Sequence, residues 1–576
     1  MKMKKILALV LAVAIMCTAL AACGTPNESS NSDVSAEGTS DASSEDTSGG
    51  DTPEPSATGM YPGTPDADNL VINIATEPAT LNTTLMTDTV SFSVIRHLTQ
   101  GLTILDETDN VLPGVAESWT ISDDGLVYNF KLRDNAKWTN GDPVTAHDFV
   151  FGWTTLMDPD TASQYAYFAH IVKNGAAFTE GTAKAEDLGL KAISDTELEV
   201  TLEKPVAYAL GLFAFGVMSP INEKFYNEVG AEGYNSSADT ACTNGPYILT
   251  NWVHESTIEL VKNEDYWNAA EDGAPKITMT MIGDSNAILN AFKAGEIDMG
   301  LLTGDQAAMM REEGYPVQQY ADGASFYLNY NTLQPGLNNA KVRRALGLAI
   351  DKQAFIDSIL KNSSTPSTGF VSSAVTGLDT YFQDEMKEKF GELLSANPNV
   401  EEAKKLLEEG LAEENLTIET FDISIISDDS DQAVLNATFI QEQINSNLGL
   451  DMKIESMPFA SRLERQRNKD FSMIFGGWGP DYNDPNTFLN LFVTDGGNNS
   501  GSYSNPTYDK LVADAAAELD PEKRMEIFYE LEKIVCEEVP VYPIYWRIRD
   551  YVVSEKVDGG YRTMLQDINF SGAKIK

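Results

Sequence analysis

Cys23 is the residue best placed to undergo covalent chemistry. It follows Leu20-Ala21-Ala22, the small-residue end of an apolar stretch from Ile6 to Leu20, and Lys2, Lys4 and Lys5 precede that stretch. A basic start, a short apolar run and small residues before a cut make a secretory signal. A membrane-spanning helix needs about 20 apolar residues, more than this stretch supplies. A cysteine directly after the cut marks a bacterial lipoprotein signal: the thiol takes a diacylglycerol, residues 1–22 leave, and the chain begins at Cys23. Two acyl chains hold firmly where one is marginal. The expected location is the extracytoplasmic face of the cell membrane, with contact through the lipid anchor only. The competing reading is a secreted protein with a chance cysteine.

Reaction chemistry is not visible elsewhere. There is no Gly-x-Ser-x-Gly elbow and no His-Glu-x-x-His zinc helix. His97, His147, His170 and His254 are scattered without ligand spacing. Asp106, Thr108, Asn110 and Glu117 imitate a calcium loop, but its turn glycine is replaced by Val111 and Pro113 follows closely. Gly476-Gly477-Trp478-Gly479 lacks the Lys-Ser or Lys-Thr of a phosphate loop. With 87 acidic residues, carboxylate pairs for glycoside cleavage always exist by count, so a secreted hydrolase stays open as an alternative. No catalytic residue, cofactor or metal is expected.

These residues need a scaffold, and composition divides the chain. Residues 24 to about 68 are rich in Ser, Thr, Gly, Pro, Asp and Glu, with no Lys or Arg and almost nothing apolar before Met60-Tyr61. Such a segment cannot bury enough surface to order itself. As a coil of about 45 residues it spans roughly 35–40 Å, a flexible leash. The remaining part is too long for one core. The formal charge of −47 argues against nucleic acid, and no basic arm is present for anionic lipid. Cys242 and Cys536 remain after Cys17 leaves and Cys23 is lipidated; two buried free thiols are expected, although a disulfide is compatible with the compartment.

Beyond the leash, Leu70 to Ala75 reads as a buried strand, and Tyr128 to Leu132 alternates after the turn Asp123-Asp124-Gly125. Asp195 to Leu202 alternates again. Helices are expected over 340–350, from Asp351 to about Leu360, and over 400–411, 438–447 and 522–537, with Asn338 or Asn339 and Asp351 as caps. A strand is expected over 451–457, with Gly449 between it and the preceding helix. Strands and helices mix throughout, so the class is α/β (mixed α+β).

Four segments together resemble the oligopeptide- and dipeptide-binding receptors of ABC importers. They are Leu112 to Trp119; Leu132 to Trp138 continuing through Asn140 to Trp153; Val342-Arg343-Arg344-Ala345-Leu346 with Ala349-Ile350-Asp351; and Gly477-Trp478-Gly479-Pro480-Asp481-Tyr482-Asn483-Asp484-Pro485. Asp158 to Ser163 and Thr243 to Tyr247 fill the gaps. The resemblance covers the body from about Asn69 onward. It implies a bilobal, periplasmic-binding-protein-like fold with a hinge and an extra third domain. By analogy, lobe I is 69–101, 217–320 and 548–576, the extra domain 102–216, and lobe II 321–547. It further implies an oligopeptide ligand in the interlobe cleft and delivery to ABC transporter permease subunits, by a monomer that is not an enzyme.

The resemblance also assigns residues. Asp481 stands where relatives meet the α-ammonium of a bound peptide, and a buried ammonium needs such a partner. The competing reading is a turn cap at Asp484-Pro485. Trp478 would form an apolar wall, and Gly477 and Gly479 would admit ligand backbone. Tyr165 matches a tyrosine near the same amine, with core packing an equally good reading. Phe475 stands where some relatives carry an arginine for the peptide carboxylate. The ligand's C-terminus is therefore expected to be unfixed, or the ligand to be a signalling peptide, an oligosaccharide or another solute.

Overall fold

The computed structural model describes residues 61–576 apart from 270–272 and 566–567. The signal, Cys23 and the leash up to residue 60 lie outside the described residues. The leash boundary expected at residue 68 moves back. Tyr61 packs against Phe292 and Tyr315, with ring centroids 5.5 and 5.0 Å apart. Thr64 is buried and donates its amide and hydroxyl to Asp298 at 2.8 and 2.9 Å.

Two long strands organise the body. Strand β1 (Gln318–Tyr330) and strand β3 (Val541–Val553) run antiparallel through a single large sheet. Strand β2 (Met473–Trp478) pairs antiparallel with the far half of β1. From one edge the order is Lys453–Met457, Ser424–Asp428, β2, β1, β3, Met299–Leu302, Asn69–Asn73, Lys276–Thr280, Thr257–Lys262 and Tyr247–Val253. The first three strands with 325–330 of β1 and 541–546 of β3 serve one lobe; the remainder serve the other. The lobes are thus joined by paired strands. A separate four-stranded antiparallel sheet, from Ala116–Ile121 to Glu197–Thr201, is the insert.

The joint is a bulge. Ala321 opposes Ile548 and Ser325 opposes Trp546, so Asp322, Gly323 and Ala324 face Arg547 alone. Extra residues on one strand bend it and increase its twist. Asp322 is fully buried there and accepts from Arg547 Nε at 2.6 Å and Arg549 Nε at 3.0 Å. Gly323 has φ +72°, and a Cβ there would lie 2.6 Å from Pro480 Cγ.

Each lobe has its own buried core. In one, Leu70, Ile72 and Ile277 join Phe130, Trp138 and Trp153 of the insert, so the insert shares a core with its host lobe. In the other lobe, Val342, Leu407 and Ile440 pack with Leu328 of β1 on one face of the sheet, and Phe370, Phe488, Tyr508 and Phe528 form the core on the other. The helices follow their caps: Asn339, Asp351 and Asn399 each accept a backbone N–H of the first turn. The helix expected over 438–447 begins earlier, at Asp431, capped by Ser430. Cys242 and Cys536 are buried free thiols.

Candidate functional site

Strand β2 leaves the sheet at Trp478, and the chain passes through Gly479-Pro480-Asp481 before a buried anchor. That anchor is Asp484, which accepts from Arg524 Nη1 and Nη2 at 2.6 and 2.9 Å in a bidentate pair. Asp484 also accepts from the Asn486 amide at 2.9 Å. Tyr482 stacks on Tyr208 at 4.4 Å with the rings 5° from parallel, joining lobe II to the segment that follows the insert sheet. The turn-cap role therefore belongs to Asp484.

Asp481 is left free for something else. Its amide donates to Thr487 Oγ1 at 3.1 Å. Its carboxylate has no hydrogen bond or ion pair among the described residues, and burial alone pushes its carboxyl up to about 6. An ionised carboxylate out of water without a partner is costly. The groups that face it are phenols: burial first and the Asp481 charge second push the Tyr165 and Tyr167 hydroxyls upward. Asp88, the N-cap of helix Thr89–Leu98, adds a smaller push on Tyr165.

Tyr165 also packs as a core residue. Its ring lies 5.8 Å from Phe92, 5.4 Å from Phe168 and 5.5 Å from Tyr167. Tyr167 was missed by sequence reasoning, although Tyr165-Ala166-Tyr167 offered the signal. Trp478 is half-buried against the core of lobe II, with its indole Nε1 buried and without a hydrogen-bond partner. Gly477 is exposed, and a Cβ there would come 2.9 Å from the Phe326 ring. Gly479 is half-buried one residue beyond the strand. Phe475 belongs to an aromatic cluster with Phe326, Phe355 and Tyr545, at 6.1, 5.6 and 6.4 Å, on the sheet face covered by the lobe II helices.

The calcium-like loop is structural. Asp106 Oδ1 accepts from the Thr108 and Asn110 amides at 2.8 and 2.9 Å, closing a hairpin. No metal-ligand cluster occurs among the described residues.

The chain is similar to known proteins along most of its length. Residues 110–500 match the family described as bacterial extracellular solute-binding proteins, family 5 middle. Over 521 residues the chain is 32% identical to the oligopeptide-binding protein OppA of Bacillus subtilis, covering 88% of this chain and 92% of that one. Listeria monocytogenes OppA bound to peptide is 34% identical with a TM-score of 0.70, covering 88% of this chain and 99% of that one. The substrate-binding domain of an oligopeptide ABC transporter from Bacillus anthracis is 33% identical with a TM-score of 0.71, covering 89% and 100%.

Proposed function

The chain belongs to family 5 of the bacterial extracellular solute-binding proteins, and from that membership we propose that it captures oligopeptides between its lobes and delivers them to an ABC permease. The carrying observation is the Asp481 carboxylate, mostly buried and unpartnered, beside two tyrosines of the opposite lobe. A peptide α-ammonium supplies the missing counter-charge. Trp478 walls the ligand, Gly477 and Gly479 admit its backbone, and Tyr165 borders the amine. Segments 69–101, 217–320 and 548–576 with insert 102–216 act as one jaw and 321–547 as the other, turning at the bulge. Cys23 carries the lipid anchor, and the chain binds as a monomer without catalysing a reaction.

The test is mass spectrometry of ligands released by denaturing the purified protein. A mixture of peptides with free N-termini is expected. A single non-peptide compound would overturn the peptide assignment.

The raised Asp481 carboxyl sets a pH dependence. Only the ionised form pairs with an ammonium, and the bound ammonium draws the carboxyl below its free value of about 6. Peptide affinity is therefore steady at neutral pH and falls as pH drops through 6, by at most about tenfold per unit, with proton release on binding. In the empty protein this carboxyl contributes stability that is present below its ordinary value near 3.8 and lost as pH rises through about 6. Calorimetry in buffers of different ionisation enthalpy reads the proton directly. Affinity that does not change across that range would remove the ammonium pairing.

A further inference from the structure

We propose that the cavity beside Trp478 is an anion subsite that takes a carboxylate of the bound peptide; this rests on the receptor reading above. The cavity measures about 480 Å³. Its floor is the sheet face carrying Ile474, Gly476 and Trp478 of β2, paired with Tyr327 and Asn329 of β1. One side is helix α1 (Phe459–Arg467) and the residues just after it, which contribute Arg462, Arg467 and Lys469. The opposite side is the loop 496–501.

The charge of this cavity runs against the rest of the chain. The protein carries 87 acidic residues against 40 basic ones, yet no Asp or Glu lines the cavity. Of the neighbouring acids, Glu455 and Asp470 pair with Arg465 at 2.6 and 3.1 Å, and Glu464 and Asp495 are exposed beside the lining without being part of it. Arg462 is half-buried, donates to Gln466 Oε1 at 3.0 Å and faces Asp428 at longer range. Arg467 and Lys469 are exposed and form no ion pair among the described residues. An independent feature points the same way: the Trp478 indole Nε1 is buried without an acceptor. Arginine, lysine and an indole N–H are all donors, and a carboxylate is acceptor-only.

Position links the cavity to the amine end. Trp478 is a cavity wall and stands three residues before Asp481, at most about 10 Å along the chain. The floor from Ile474 to Trp478 extends about 13 Å further. A short extended peptide anchored by its ammonium at Asp481 can thus place a carboxylate against α1. This answers Phe475: the cation absent from β2 is supplied by the helix above the opposite sheet face.

The carboxylate has two sources, a free C-terminus or an acidic side chain. The probes are tetra-, penta- and hexa-alanine with free N-termini in three forms: C-terminal acid, C-terminal amide, and amide with one internal glutamate. Calorimetry on ligand-stripped protein is expected to show the acid or the glutamate form binding about ten- to hundredfold tighter than the plain amide. Which of the two is preferred identifies the source. In the double variant Arg467→Gln/Lys469→Gln that ratio falls toward one, while Arg467→Lys keeps most of it. Thermal unfolding of each variant checks the fold. Equal affinity for all three forms in the parent, or a ratio that persists in the double variant, would remove the subsite and leave the receptor reading standing. No binding by any alanine peptide would count against the receptor reading, and the subsite would fall with it.

Discussion

Asp481→Ala binds peptides with a free N-terminus about two to four decades more weakly than the parent protein. The range follows from the cost of stripping one partner from a buried ion pair, roughly 3–5 kcal/mol, at about 1.4 kcal/mol per decade. Asp481→Asn keeps the shape and loses the charge, so it shares most of the defect. N-acetylated peptides already bind poorly to the parent and lose little more in either variant. The unliganded fold survives both changes, because the carboxylate supports no hydrogen bond among the described residues. At neutral pH the empty variants are slightly more stable, since a carboxyl raised to about 6 by burial is ionised there at a cost. Calorimetric titration with paired free and acetylated peptides reads the effect. Equal affinity of the two forms for the parent would end the amine-anchor assignment.

Asp298→Ala destabilises the protein by roughly 3–5 kcal/mol, measured by urea unfolding. Asp298 is fully buried. It accepts from the Thr64 amide at 2.8 Å, the Val71 amide at 2.9 Å, Ser554 Oγ at 3.0 Å and Lys556 Nζ at 3.3 Å. One carboxylate thus gathers the start of the body, its first strand and the segment after β3. Removal leaves Lys556, whose side chain is 7% exposed, without its counter-charge, and orphans two backbone donors. Asp298→Asn, which keeps shape and acceptor capacity, loses less. A cost below about 1 kcal/mol for Asp298→Ala would mean that water replaces the carboxylate, contrary to its burial.

Much of the local structure was legible. Asn339 and Asp351 cap the helices that follow them, as expected, because a side-chain oxygen satisfies an orphan N–H wherever it falls in chain order; Asn399 does the same for the helix from Val400. The strand Val127–Leu132 announced itself by alternation. What stayed hidden depended on distant partners. Thr64 sits in a polar stretch that reads as leash, and its partner is 234 residues away. Tyr61 was the visible hint, an aromatic ring at the end of a stretch otherwise free of them. The start of the helix at Asp431 was masked by the run Asp428-Asp429-Ser430-Asp431, whose charges hide a cap. At the site, Asp481 came from the likeness of its segment to relatives. That its carboxylate lacks a partner, while Asp484 three residues on is doubly held, depends on Arg524, Tyr165 and Tyr167, which no local pattern connects. The cations beside Trp478 escaped for the same reason: 462, 467 and 469 look like an ordinary solvated helix end until the loop 496–501 closes the other side.

The paired strands through the joint constrain how the two halves can travel. Two hydrogen-bonded ribbons resist sliding past one another, because a slip of one residue would turn every side chain to the opposite face. The larger break in the ladder is the bulge of three residues across from Arg547; the smaller one leaves Ile544 alone unpaired, between the Phe326–Tyr545 and Tyr327–Pro543 pairs. Travel therefore reduces to a rotation about one transverse line, with register preserved on both sides. Amide protons at 325–329, 541–542 and 545–546 are expected to remain slow to exchange in every position of the jaws, and those at 322–324 to carry the response. With Gly323 pressed against Pro480, a turn at that line moves the carboxylate one residue further on. In the proposed receptor the Asp481 carboxylate thus travels with the axle and not with the rim.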